Sequence, residues 1–140
     1  MIDLYAKKWK EAVKRKGSPN SYMRSFFKDA YININLIFKG ERSSKDNFLK
    51  LIYCHYVFDD QIEGFEKIID KLSNNGEFIS TDRCIKILSG KEKLKGRFYH
   101  LSFDDGFRNV YTNAAPILNK RKIPALFFIP SGFIGASFKE

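Results

Sequence analysis

Residues 97–111 read RFYHLSFDDGFRNVY. An apolar, aromatic run stops at two adjacent aspartates, Asp104 and Asp105, followed by Gly106. RFYHLSF has the length and composition of a buried strand. NVYTNAAPILNKRK, which follows, has helical spacing, with Pro116 near a helix start or at a kink. PALFFIP then reads as a further buried strand, with Phe127, Phe128 and Ile129 expected in the core.

The same alternation extends upstream. FLKLIYCHYV, beginning at Phe48, reads as a buried strand. In DQIEGFEKIIDKLSNNG, residues Ile62, Phe65, Ile68, Ile69 and Leu72 share one helical face, and NNG ends the helix. EFIS is a short strand, and STDRCIKILSG a short helix capped by Ser80 or Thr81. Strands that alternate with helices predict an α/β fold: a parallel sheet with crossover helices.

That order places the aspartates at the carboxyl end of the third strand. In parallel α/β folds this end forms the active-site face. Neighbouring strand residues point to opposite faces, but Gly106 lets the backbone turn, so both carboxylates can reach one cavity. Two close carboxylates repel unless a cation or a shared proton intervenes. A metal resolves this if one aspartate ligates it and the other stays free as a base. The simpler alternative is a polar Asp-Asp-Gly turn.

The chain has 140 residues, enough for one domain of ordinary size, and its 44% hydrophobic content argues against disorder. Composition divides it into a basic helical extension over residues 1–45 and an α/β domain over 46–140. In the extension, Ile2, Tyr5, Trp9, Ala12 and Val13 fall on one helical face, with Lys7, Lys10 and Lys14 opposite. Such a helix docks by its apolar stripe, or makes weak membrane-surface or partner contacts. GSPN starts a second helix through Met23, Phe26, Phe27, Ala30, Tyr31 and Ile34, although YININLIF also alternates like a strand.

The net charge of +9 suits anionic surfaces in general. No helix-turn-helix, ribonucleoprotein or zinc-finger signature accompanies it, so no nucleic-acid partner is expected. No signal peptide or membrane-spanning run is present, and a cytoplasmic location is expected. Cys54 and Cys84 form neither a disulfide framework nor a CxxC pair, and core positions suit them better than nucleophile or ligand roles.

SFDDG, APIL, IPALFF and GFIG, in that order, resemble the first motif region of the polysaccharide deacetylase family. This is the NodB-homology, or carbohydrate esterase family 4, group. HYV at residues 55–57, FEKIIDKL and FIS follow the order of one branch, so the resemblance covers roughly residues 50–135. It implies a partial (β/α) barrel and removal of acetyl groups from an acetylated polysaccharide or oligosaccharide with a divalent metal, usually zinc. It makes Asp104 the general base and Asp105 a metal ligand. Phe103 anchors the strand, and Gly106 makes the turn.

The family also uses a His-x-x-x-His pair, an arginine and proline–tyrosine segment, and a late histidine as general acid. This chain contains only His55 and His100. The missing elements are expected beyond residue 140, in a complementary C-terminal half, which makes the chain an N-terminal fragment that is inactive alone. The competing expectation is a non-catalytic remnant or module that binds a glycan or a protein. His100 lies four residues before Asp104, roughly 13 Å along an extended strand, so a hydrogen-bonded core role fits it best. His55, near the end of the first strand, either lines the cavity or is a plain polar strand end.

Overall fold

The computed structural model describes residues 7, 8 and 47–134. The chain divides into two units, Met1–Asp46 and Asn47–Glu140. In the first, Lys7 and Lys8 are exposed, and the two helices expected there lie outside the described residues. The same holds for the end of the GFIG motif. Among the described residues no helix is long and apolar enough to cross a membrane.

The second unit is built on four parallel strands: β1 (Phe48–Cys54), β2 (Glu77–Phe78), β3 (Arg97–Phe103) and β4 (Ala125–Phe127). β3 is the centre. β1 pairs along its whole length, from Phe48 beside Arg97 to Cys54 beside Phe103. β2 pairs with Phe98 and Tyr99, and β4 with residues 101–103. Because β1 occupies one edge entirely, β2 and β4 follow each other along the other. Helices α1 (Ile62–Asn75), α2 (Thr81–Leu88) and α3 (Ala115–Lys120) make the crossovers. The α/β expectation therefore holds, and a partial barrel is consistent with it.

Strand alternation sorts β3 into two faces. Tyr99, Leu101 and Phe103 join Phe65 and Ile69 of α1 and Ile117 and Leu118 of α3 in the larger core. Phe98 points the other way, against Ile79 and Cys84. His100 shares that second face and is buried, with Nε2 3.0 Å from Thr81 Oγ1. The expected core histidine is thus hydrogen-bonded onto α2.

Local chemistry sets the joints. Ser80 caps α2 by accepting from the Arg83 N–H, which settles the choice between Ser80 and Thr81. Gly76 joins α1 to β2 where a Cβ would lie 2.5 Å from the Arg97 carbonyl oxygen. Its φ of −179° suits any residue, so the requirement there is room for the β3 backbone. Before α3, residues Val110–Ala114 form a π turn in which the Ala115 N–H reaches the Val110 carbonyl. Pro116 follows in the first turn of α3, and its missing N–H accounts for the expected irregularity.

Three expectations need correction. β1 ends at Cys54, and its Leu51 and Tyr53 are exposed, because α2 covers only the start of that face, at Leu49. Ile68 is exposed, since the inward face of α1 narrows to Phe65 and Ile69, flanked by Ile62 and Leu72. β4 stops at Phe127, and Phe127, Phe128 and Ile129 are all exposed rather than core. β4 pairs with β3 alone among the described strands, so its other edge carries no described strand.

Candidate active site

Phe103 fixes the end of β3. It is 1% exposed, stacks on Phe127 at 5.3 Å and 9°, and meets the Phe65 ring edge-on at 6.2 Å. Immediately beyond it the Asp104 N–H donates to the Cys54 carbonyl at 2.9 Å, and the Phe128 N–H donates to the Phe103 carbonyl at 2.8 Å. The ladder is therefore held on both edges up to the residue where it ends.

The chain then turns sharply. Asp105 has φ of 67° and Gly106 of 61°, two consecutive left-handed residues. Glycine adopts this region freely, and aspartate is among the few other residues that visit it. Asp104 is half-buried and Asp105 exposed. Ile129 packs over the turn, since a Cβ on Gly106 would lie 3.5 Å from its side chain. The Asp-Asp-Gly segment thus follows directly on the carboxyl end of the central strand, as expected. The Asn109 amide oxygen, a few residues on, is buried without a hydrogen-bond partner.

Cys54 is drawn to this corner by the register of β1 on β3. Burial pushes its thiol pKa up, and the Asp104 charge adds to the shift. A thiol held protonated beside a carboxylate is a poor nucleophile. Cys84 is buried in the second core, and both cysteines are free thiols.

His55 lies one residue past β1 and is exposed. Its ring meets those of Tyr53 at 6.0 Å and Tyr56 at 6.2 Å. It makes no hydrogen bond or ion pair with either aspartate. His100 stays on the α2 side with Thr81. Sequence reasoning missed the aromatic group that continues from His55, in which Tyr56 touches Phe58 at 4.8 Å and Phe107 at 6.0 Å. Its signal was present in the HYVF and DDGF segments, whose adjacency only the β1–β3 register supplies.

The profile of the polysaccharide deacetylase family matches residues 91–139. Poly-beta-1,6-N-acetyl-D-glucosamine N-deacetylases of Staphylococcus aureus strains MSSA476 and MRSA252 are 31% identical over 111 residues, covering 74% of this chain. The solved structure of IcaB from Ammonifex degensii superposes with a TM-score of 0.61 at 31% identity over 68% of this chain. By these comparisons the α/β unit of the chain is similar to the polysaccharide deacetylase family. The chain spans 38% of the length of the Staphylococcus relatives and 43% of the IcaB chain.

A catalytic zinc in a protein takes three protein ligands and an open position. Among the described residues, no three His, Cys, Asp or Glu side chains come together as a metal cage. Asp105 is exposed, lies in a left-handed backbone conformation and has no ion-pair partner among the described residues.

Proposed function

We propose that this chain carries the carboxylate pair of a metal-dependent carbohydrate deacetylase. The observation that supports this most is the left-handed Asp105–Gly106 turn at the carboxyl end of the central strand. Aspartate is one of the few residues other than glycine that this conformation admits, so the turn sets a carboxylate directly at the strand end. The names of the relatives suggest the substrate class, a polymer or oligomer of N-acetylglucosamine.

In this reading Asp105 is one ligand of a divalent cation, zinc by family resemblance. The remaining ligands come from outside the described residues. The cation, when bound, supplies the Lewis acidity that polarises the acetyl carbonyl. Asp104 takes a proton from the attacking water as its oxygen bonds to the acetyl carbon. Breaking the C–N bond, with a proton delivered to the leaving nitrogen by a general acid from outside the described residues, then releases acetate and leaves a free amine on the sugar. Ordering of the Asp104 backbone by Cys54 holds this base in place. Gly106 allows the turn, and Phe103 anchors it. His55, at the same end of the sheet, stays a candidate for lining the cleft.

The second reading is a non-catalytic module that binds a glycan or a protein, favoured by the absence of a metal cage among the described residues. Zinc titration calorimetry with acetate assays on an N-acetylglucosamine oligomer separates the two. The deacetylase reading expects weak zinc binding by the 140-residue chain, lost in Asp105→Asn. It expects acetate release only once a complementary C-terminal segment supplies the other ligands. Zinc binding unchanged in Asp105→Asn would remove the ligand role.

A further inference from the structure

The aromatic group beside the Asp-Asp-Gly turn has a geometry of its own. Phe107 directly follows the Asp-Asp-Gly turn and is 46% exposed. Tyr56 is 38% exposed, and the two ring centroids lie 6.0 Å apart with their planes at 67°. Phe58, tilted against Tyr56 at 4.8 Å, is buried and backs the corner from below. The rings come from two different loops, one after β1 and one after β3, which the backbone bond from Asp104 to Cys54 holds together.

Exposed aromatic side chains beside a polar, charged turn have the composition of a ligand site, in which apolar faces supply area and a few polar groups fix orientation. The geometry points to Tyr56 and Phe107 as a subsite that grips one pyranose ring of the acetylated glycan next to the Asp104–Asp105 pair. A pyranose with equatorial substituents presents a flat face of axial C–H groups, which packs on an aromatic face. Its hydroxyl and acetamido groups project from the rim toward water and the carboxylates. Two rings at 67° make a corner, with one face beneath the sugar and one wall beside it. Coplanar rings would instead form a flat strip for several sugar units. The corner therefore selects a single unit and fixes its rotation.

This inference rests on the deacetylase reading for the class of sugar, and its test needs no catalysis. The probe is a β-1,6-linked N-acetylglucosamine tetramer, followed by saturation-transfer NMR and calorimetry on the full 140-residue chain. Saturation should reach ring protons of one sugar unit predominantly. Tyr56→Ala and Phe107→Ala should each weaken binding roughly 2- to 10-fold, the value of an aromatic contact converted to affinity. Tyr56→Phe and Phe107→Tyr should keep it, which separates ring loss from misfolding. Tyr111, 80% exposed and outside the ring contacts, is the control, and Tyr111→Ala should bind like the parent. Binding is read without metal or turnover, so failure of the catalytic assignment leaves this result standing. No tetramer binding by the full chain would overturn the proposal. So would undiminished binding in folded Tyr56→Ala and Phe107→Ala, or an equal loss in Tyr111→Ala.

Discussion

Asp105 occupies a backbone conformation that glycine would hold at lower cost. Replacing it with glycine should raise stability by about 1 kcal/mol in urea unfolding, while removing the proposed metal ligand. Gly106→Ala should do the opposite. Space exists for the methyl group, yet a left-handed alanine costs about 1–2 kcal/mol. A stability gain in Asp105→Gly alongside loss of zinc binding would mark the carboxylate as kept for function. The identities of Asp104, Asp105 and Gly106 were legible in the sequence, as was the strand that delivers them. The left-handed turn at Asp105 was not, because aspartate is compatible with several backbone regions and only the packing of Ile129 and the β3 ladder selects one. Cys54 adds a pH signature. Its thiol pKa is raised in the folded chain, so the unfolded thiol ionises first, and the associated stability is lost as pH rises through the alkaline thiol range. Cys54→Ser should flatten that alkaline decline in the urea midpoint.

At the scale of elements, helices were read more faithfully than strand ends. The spacing of Phe65 and Ile69 located α1, and Ser80 located α2, because capping and periodicity are local. Strand lengths depend on partners elsewhere in the chain. Val57 and Phe58 are buried yet outside β1, so an apolar run reported burial where pairing had already ended. The central position of β3 had no local signal. Its importance can be measured through Phe103, where Phe103→Ala should cost about 3–5 kcal/mol by emptying the space between Phe65 and Phe127. The tie between α1 and the end of α3 is electrostatic. Arg121 donates to both Asp70 oxygens and to Glu66. The hydrogen bond from Arg121, the largest influence, holds the Asp70 carboxyl below its usual range. A depressed folded pKa contributes stability that is present at neutral pH and lost as pH falls through the folded value. Asp70→Asn should therefore lower the urea midpoint slightly at neutral pH and reduce its acid dependence. Both partners are solvent-screened, so the change is small.

Among the described residues, several large apolar side chains along the sheet are exposed. Leu51 and Tyr53 lie on one uncovered face, and Phe127, Phe128 and Ile129 lie on and beyond β4. Exposed apolar side chains at a sheet edge invite association. The full chain should sediment with a concentration-dependent rise in mass, and Phe128→Glu should reduce it. A single monomeric species across the accessible concentrations would show that this surface is not adhesive. The division of labour between sequence and structure follows the same physics. Motifs carried the family and the carboxylates, whereas the open face and the Tyr56–Phe107 corner emerge only when β1 is laid against β3.

The central claim is that this chain supplies a working carboxylate pair to a deacetylase centre. Its most direct test is a chimaera in which residues 47–134 replace the matching segment of IcaB from Ammonifex degensii, assayed for zinc-dependent acetate release from a β-1,6-linked N-acetylglucosamine oligomer. The account predicts release above the metal-free control, abolished by Asp104→Asn and by Asp105→Asn in chimaeras that still fold. A folded chimaera that releases no acetate, or one whose activity survives Asp105→Asn, would contradict it.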